Sequence, residues 1–346
     1  MAIVPVDPHH PDPDIIADAA ARLRAGELVA FPTETVYGLG ANALDAQAVA
    51  RIYAAKGRPA WNPVIAHVPD VAAARALSRA WPASAERLAQ AFWPGPLTLV
   101  VPKAAPVPLE ATAGLDAVGV RVPSHPVALA LLRAAGVPVA APSANRFTQV
   151  SPTTAAHVVQ SLGDRAPLVL DGGPATVGIE STVVDCTGDA VVILRPGMLG
   201  RESLEAALEG TGIPVVVARP KAVAHDTPAP EHTPRSPGMA DRHYAPRAEV
   251  WLFAAEGTAE LITALAARQA VGAAAPVLAI VRTVALPSDV ANALRMPLDP
   301  AGYARQLYAA LHEADTQAAA LVVIELPPDG DSAWDGVRDR LTRAAR

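Results

Sequence analysis

The sequence predicts an α/β protein, with a large mixed-sheet unit followed by a smaller open α/β unit. Three observations predict it. Short β-rich runs alternate with helical stretches through the first two thirds, a proline-rich aperiodic stretch interrupts them, and a strand–helix alternation resumes afterwards. The 346 residues suffice for two such units, and 51% hydrophobic against 18% charged residues suits packed cores rather than bulk disorder.

The first helix is expected over residues 14–25, where Ile15, Ile16, Ala19 and Leu23 recur at helical spacing and Gly26 stops it. A buried strand at 28–31 runs into the polar loop Pro32-Thr-Glu-Thr-Val-Tyr-Gly-Leu-Gly40. Asp45 caps a helix through Ala55, with Gly57 just past its end. Further strands are expected at 64–67, 97–101, 118–122, 137–141, 168–171, 182–185 and 191–194. The helices between them vary in length and some links are short, which favours a twisted mixed sheet over a regular doubly wound one.

Residues 219–247 carry much proline and little periodicity, so they read as a stiffened linker that cannot be helical. Beyond it, strands are expected at 250–253, 277–281 and 321–326, with helices at 258–269, 301–314 and 332–344. Ser332 followed by Asp335 resembles a capping box. The resulting division is 1–218, 219–247 and 248–346, the last a small Rossmann-like open α/β domain.

Composition narrows the function classes. The net charge of −6 argues against coating a nucleic acid backbone, so RNA contact would need a local basic patch. One cysteine, Cys186, excludes an internal disulfide framework and a cysteine-based zinc cluster; it reads as a small buried residue. The N-terminus lacks a signal-peptide core and no apolar run reaches about 18 residues, so a cytoplasmic location without a membrane span is expected. No G-x-x-x-x-G-K-[ST] loop occurs, and Gly38 and Gly40 lack the third glycine of a dinucleotide fingerprint.

Five polar clusters fall at ends of expected strands, where open α/β sheets place ligands. They are Thr33-Glu-Thr35, Lys56-Gly-Arg58 with Asn62 and His67, Arg121, Ser143-Ala-Asn145 with Ser151, and Ser181 with Arg195. Singly, each has a structural reading: Thr and Ser cap turns, and Lys56 complements a helix C-terminus. Jointly they supply the cations and donors that a triphosphate of charge about −4 requires.

In this order the clusters are more specific. The segments FPTETVYGLG (31–40), KGRP (56–59), NPVIAHV (62–68), FWPGPLTLV (92–100), VGVRVPSHP (118–126), APSAN (141–145), STVVD (181–185) and LRPGM (194–198) resemble the threonylcarbamoyl-AMP synthase family. The match is to its YrdC-like domain in the long form, because SPGMADRHYAP (236–246) resembles the segment preceding the extra C-terminal domain. The resemblance implies a YrdC-like fold and a nucleotidyltransferase. L-threonine, bicarbonate and ATP, the last with Mg2+, give L-threonylcarbamoyladenylate and pyrophosphate. The product would pass to a tRNA threonylcarbamoyltransferase complex, and the resemblance leaves room for a weak direct tRNA contact.

By the same resemblance, Thr35, His67, Arg121, Ala141 and Ser181 hold threonine, with Arg121 as the carboxylate's bidentate partner. Lys56 and Arg58 are the catalytic cations. ATP contacts fall to Lys56, Arg58, Asn62, Ala117, Ser143, Asn145, Ser151, Arg195 and Tyr244, with no protein metal site. At Ala117 the family often has a hydroxyl residue, so a contact there is main-chain. Arg146-Phe-Thr-Gln149 stands where the family often has a Ser-Gly pair, and Ala240-Asp241 where it often has a basic residue.

Other residues take structural readings. His9, His10, His225 and His232 read as solvated, Phe92 and Trp93 as packing anchors. Glu34 orients the site loop at least as readily as it acts as a base. Two alternatives stay open: a carbamoyl-transfer maturation factor, disfavoured by the single cysteine, and an RNA-binding module, disfavoured by the acidic balance.

Overall fold

A computed structural model describes residues 3–218, 243–270, 276–288 and 291–346. The chain opens with β1 (Ile3–Pro5), α1 (Pro13–Arg24), β2 (Val29–Phe31), β3 (Gly38–Asn42), α2 (Ala46–Lys56) and β4 (Ile65–His67). Next come α3 (Val71–Ala76), α4 (Ala83–Phe92), β5 (Leu97–Pro102), α5 (Leu109–Thr112) and β6 (Ala117–Arg121). They are followed by α6 (Pro126–Ala135), β7 (Val139–Ala140), α7 (Ala155–Leu162) and β8 (Leu168–Asp171). β9 (Thr182–Asp185), β10 (Val191–Arg195), α8 (Arg201–Ala207) and β11 (Val215–Val217) complete this part. The remainder holds β12 (Glu249–Phe253), α9 (Thr258–Ala270), β13 (Val277–Val281), β14 (Asn292–Arg295), α10 (Pro300–Thr316), β15 (Leu321–Glu325) and α11 (Asp335–Ala344).

Among the described residues the first sheet has eleven strands in the order β1-β8-β2-β3-β7-β4-β6-β5-β9-β10-β11. It is mixed: β4 and β6 run parallel, whereas β6 and β5, and β9 and β10, are antiparallel. The second sheet, β12-β15-β13-β14, is wholly parallel. Helices cover the sheets because they carry one apolar stripe each. α1 buries Ile16, Ala19, Ala20 and Leu23 in one core with Leu131 and Leu132 of α6; Ala48, Val49 and Ile52 of α2 join another with Leu97 and Leu99. Cys186 is buried there too, and desolvation pushes its thiol up to about 12.

The helix ends follow their capping chemistry. Asp45 accepts from the Gln47 and Ala48 N–H groups, and Gly57 ends α2 at φ 62, a left-handed turn suited to glycine. The expected loop through Gly40 is shorter than read, because β3 begins at Gly38 and pairs with β2. Alternating glycines hide that strand from a propensity reading. At Gly40 the reason is contact: a Cβ would lie 2.9 Å from the Phe31 ring and from Val139. β1, β11 and β14 lie outside the expected strands, while the strand expected at 137–141 is confined to Val139–Ala140. The capping box at Ser332 is corrected: Asp331 accepts from the Ala333 N–H, and the Ser332 hydroxyl donates to Glu202 instead.

One hydrophobic cluster spans both sheets' territories. Val36, Val150 and Ile179 pack with Tyr303, Leu307, Tyr308, Leu311, Trp334 and Val337 from α10, α11 and the preceding turn. Each such fully buried side chain contributes about 1.5–3 kcal/mol. Residues 219–242 of the expected linker, with His225, His232, Ala240 and Asp241, lie outside the described residues.

Candidate active site

The loop between β2 and β3 is shaped by its own hydroxyls. Thr33 Oγ1 donates to the Val36 carbonyl at 2.6 Å and lies 2.8 Å from Thr35 Oγ1. The Val177 and Gly178 N–H groups donate to the carbonyls of Glu34 and Thr35, so main-chain bonds hold the loop from outside. Thr35 thereby faces a cleft whose walls come from eight chain segments among the described residues.

β4 and β6 pair with His67 opposite Arg121, which brings both residues to the C-terminal ends of these neighbouring strands. His67 Nδ1 lies 3.3 Å from the Ile65 carbonyl, which accepts when Nδ1 carries the proton. Burial first, and then Arg121, push this imidazole down to about 3, so it is neutral at pH 7. Arg121 Nη2 donates to Glu34 Oε1 at 2.7 Å and Nε to the Gly95 carbonyl at 3.3 Å. Glu34 Oε2 accepts from the Ser124 N–H, so this residue has an orienting role.

Behind Gly57, Arg58 Nη2 donates to Asn62 Oδ1 at 2.7 Å and to the Pro63 carbonyl at 2.6 Å. Burial lowers the guanidinium to about 10, leaving it charged. Lys56 donates to the carbonyls of Ser143 and Asn145, and burial first, then Arg58, hold its pKa well below the usual lysine value. On the opposite wall Arg195 Nη2 donates to Ser181 Oγ at 3.2 Å, and Ser181 Oγ lies 2.8 Å from Thr98 Oγ1.

Glu180 was not anticipated from sequence. It accepts from Ser151 Oγ at 2.6 Å, Tyr308 Oη at 2.9 Å and Arg340 Nε at 2.7 Å. Burial alone would raise its carboxyl, but Arg340, Arg195 and these donors bring it down to about 2. The adjoining Ser181 gave the one sequence hint; Arg340, at the far end of the chain, gave none.

Thr35, Arg58, His67, Arg121, Ala141, Ser143, Ser181, Arg195 and Tyr244 all line the cleft. Lys56, Asn62, Asn145 and Ser151 stand behind its walls, where they hold the residues that do. Ala117 lies further along the sheet, in a neighbouring apolar depression with Pro63, Val100, Val118 and Val183; this depression shares Ile65 with the cleft. His243, a further lining residue, sits beside Tyr244. Tyr244 takes φ 61 and lies beneath the Arg340 guanidinium at 5.1 Å. Phe92 and Trp93 pack against the core, as expected of anchors.

Free space within the cleft is about 40 Å³. Small-molecule sites are typically roughly 300 Å³ or more, so the cleft is narrow as it stands, with His243 and Tyr244 among its lining. Four polar groups at the cleft and its walls are buried with no hydrogen-bond partner among the described residues: Arg58 Nε, Asn62 Nδ2, His243 Nδ1 and Tyr244 Oη. Such orphans are costly unless a ligand completes them. Arg58 Nε, Asn62 Nδ2 and the Tyr244 hydroxyl can each donate a hydrogen bond to an oxygen acceptor.

Comparisons with known proteins agree on one family. The family model described as "Telomere recombination" (Sua5_yciO_yrdC) matches residues 21–197, and "Threonylcarbamoyl-AMP synthase, C-terminal domain" matches residues 199–346. The chain is 47% identical to a threonylcarbamoyl-AMP synthase of Bacillus subtilis, over 72% of this chain and 69% of that one. It is 49% identical to that of Pyrococcus abyssi, over 67% and 66%. The crystal structure of P. abyssi Sua5 complexed with L-threonine superposes with a TM-score of 0.88 at 38% identity, covering 100% of this chain and 98% of that one.

Proposed function

Since the chain belongs to the threonylcarbamoyl-AMP synthase family, we propose that its cleft binds L-threonine and ATP side by side. The enzyme makes L-threonylcarbamoyladenylate, a nucleotidyltransferase-type reaction serving tRNA modification. The observation that carries the site assignment is the convergence of Arg58, Arg121 and Arg195 on one cleft whose orphaned donors can serve oxygen acceptors.

In this reading threonine lies at the Thr35–His67–Arg121 end. Arg121 meets the carboxylate, Ser181 and the Ala141 main chain complete the pocket, and the neutral His67 imidazole faces the amino group. The neutral amine takes up bicarbonate with loss of water, giving a carbamate. A carbamate oxygen then attacks the α-phosphorus, the bond to the β-phosphate bridge oxygen breaks, and pyrophosphate leaves with that electron pair. Arg58, Lys56, Arg195, Asn62, Asn145, Ser143 and Ser151 serve the nucleotide side, directly or by holding those that touch it; Mg2+ arrives with the substrate. The adenosine lies in the apolar depression reached by Ala117, its main chain the contact there. Charge stabilisation on the leaving pyrophosphate is the main catalytic contribution.

Tyr244 and His243 close over the occupied cleft and keep water from the short-lived carbamate. The proposal divides the chain into a catalytic unit (1–218), a linker (219–247) and a C-terminal unit (248–346). It places the enzyme in the cytoplasm; no helix among the described residues is long and apolar enough to cross a membrane. Its product goes to a tRNA threonylcarbamoyl-transferring complex. Pyrophosphate release from ATP tests the reaction: it is expected to require both threonine and bicarbonate. Release independent of threonine would reject it.

A further inference from the structure

A cleft that takes a carboxylate and a triphosphate must keep the two anions apart, and its cations differ in what already surrounds them. Arg58 is held by uncharged oxygens, Asn62 Oδ1 and the Pro63 carbonyl. Lys56 likewise donates to two carbonyls. Arg121 is paired with a carboxylate: Glu34 lies 2.7 Å from Nη2, with the two side chains 5% and 6% exposed.

The geometry of this pair is one-sided. Arg121 lines the cleft, whereas Glu34 stands behind it and is pinned by the Ser124 N–H at 3.1 Å. Nε is taken by the Gly95 carbonyl. Nη1 is the guanidinium nitrogen without a protein oxygen among the described residues. A buried ion pair is a weak source of net stability, so its use here belongs with binding.

Coulomb attraction scales with the product of charges, so a bare guanidinium attracts a triphosphate about four times as strongly as a lone carboxylate. Left bare, Arg121 would favour the wrong substrate. Cancelled by Glu34, it offers a distant polyanion little net charge. At contact it still presents an N–H edge to a carboxylate.

We propose that Glu34 is a specificity-determining residue that sorts the two anionic substrates, by neutralising Arg121 so that its edge accepts the threonine carboxylate and not the triphosphate. The inference rests on the reading of Arg121 as the carboxylate's partner. A carboxylate serving merely to anchor the loop would have no effect on which anion competes for the threonine pocket.

The test compares the wild-type enzyme with Glu34→Gln, using pyrophosphate release at varied threonine and fixed levels of inorganic tripolyphosphate. In the wild type, tripolyphosphate is expected to compete with ATP and not with threonine. In Glu34→Gln it is expected to compete with threonine as well, raising the apparent threonine KM about ten-fold across its range, a tenfold loss of effective affinity. Glu34→Asp, which keeps the charge, is expected to restore much of the wild-type pattern. Competition with threonine in the wild type would overturn the proposal even if neither variant folds. So would a Glu34→Gln enzyme whose threonine KM ignores tripolyphosphate. Arg121→Gln separates the premise: a threonine KM unchanged by that substitution would reject the carboxylate site itself.

Discussion

At the scale of single residues, the cleft combines fixed cations with donors that the protein leaves unsatisfied. Arg121→Lys is expected to raise the threonine KM about ten-fold or more, because an ammonium cannot reproduce the planar fork that Glu34 and Gly95 hold in place. Steady-state kinetics at saturating ATP check this; an unaltered KM would remove Arg121 from the threonine pocket. Tyr244→Phe should behave in the opposite sense in the two states. Deleting a buried hydroxyl that has no partner is expected to stabilise the ligand-free protein by about 1 kcal/mol, while weakening ATP. Denaturant midpoints with and without nucleotide measure both arms. Most of these side chains were legible in the sequence because Arg, Lys, Asn and Ser in strand-end motifs advertise anion chemistry. Glu180 was not, since a carboxylate one step from Ser181 has no evident task until Tyr308 and Arg340 arrive from more than 120 residues away.

At the scale of elements, two glycines let helices approach the site's back wall. A Cβ on Gly178, at φ 88, would lie 2.4 Å from the Ala304 carbonyl of α10. A Cβ on Gly336, in α11, would lie 2.6 Å from the Gly197 carbonyl. Gly336→Ala is therefore expected to destabilise the fold by about 1–3 kcal/mol, despite alanine's better helix propensity, because backbone must move aside. Urea unfolding would reveal it, and a stabilised variant would refute the close contact. Helices were the easier elements to read, their caps and stripes being local. β3 and β14 escaped because neither shows the alternation of a half-buried strand: one is glycine-rich within the core, the other runs Asn-Ala-Leu-Arg at a sheet edge.

At the scale of the whole molecule, the two sheets share a core and a charge network, so the part beyond residue 248 touches residues of the cleft wall. Arg340 reaches Glu180, the Pro196 carbonyl and the Tyr244 ring at once. Removing residues 219–346 is expected to expose Val36, Val150 and Ile179, release Glu180 and depress turnover; undiminished pyrophosphate release by the truncated chain would contradict this. The same junction sets an acid limit. His157 and His312 stack with ring centroids 3.8 Å apart, and burial lowers each to about 4. An unfolded histidine takes its proton near pH 6.5, so the pair's contribution to stability is full above that value and is lost between there and about pH 4, while His67 extends the loss to about pH 3. Glu180, at about 2, adds a further loss between pH 4.5 and 2. Denaturation midpoints from pH 8 to 4 should trace the decline, and a flat profile would exclude the histidine pair as its source. None of this network could be read from sequence, because each contact joins residues distant in the chain.

Cys186, the single thiol, lies sealed beside β9, the strand that begins one residue after Ser181. The thiol can therefore serve as a chemical stopwatch in unmodified protein: a disulfide dye is expected to react only when the packing around it opens. Threonine and ATP together should slow the colour's appearance in proportion to how firmly they clasp the neighbouring wall.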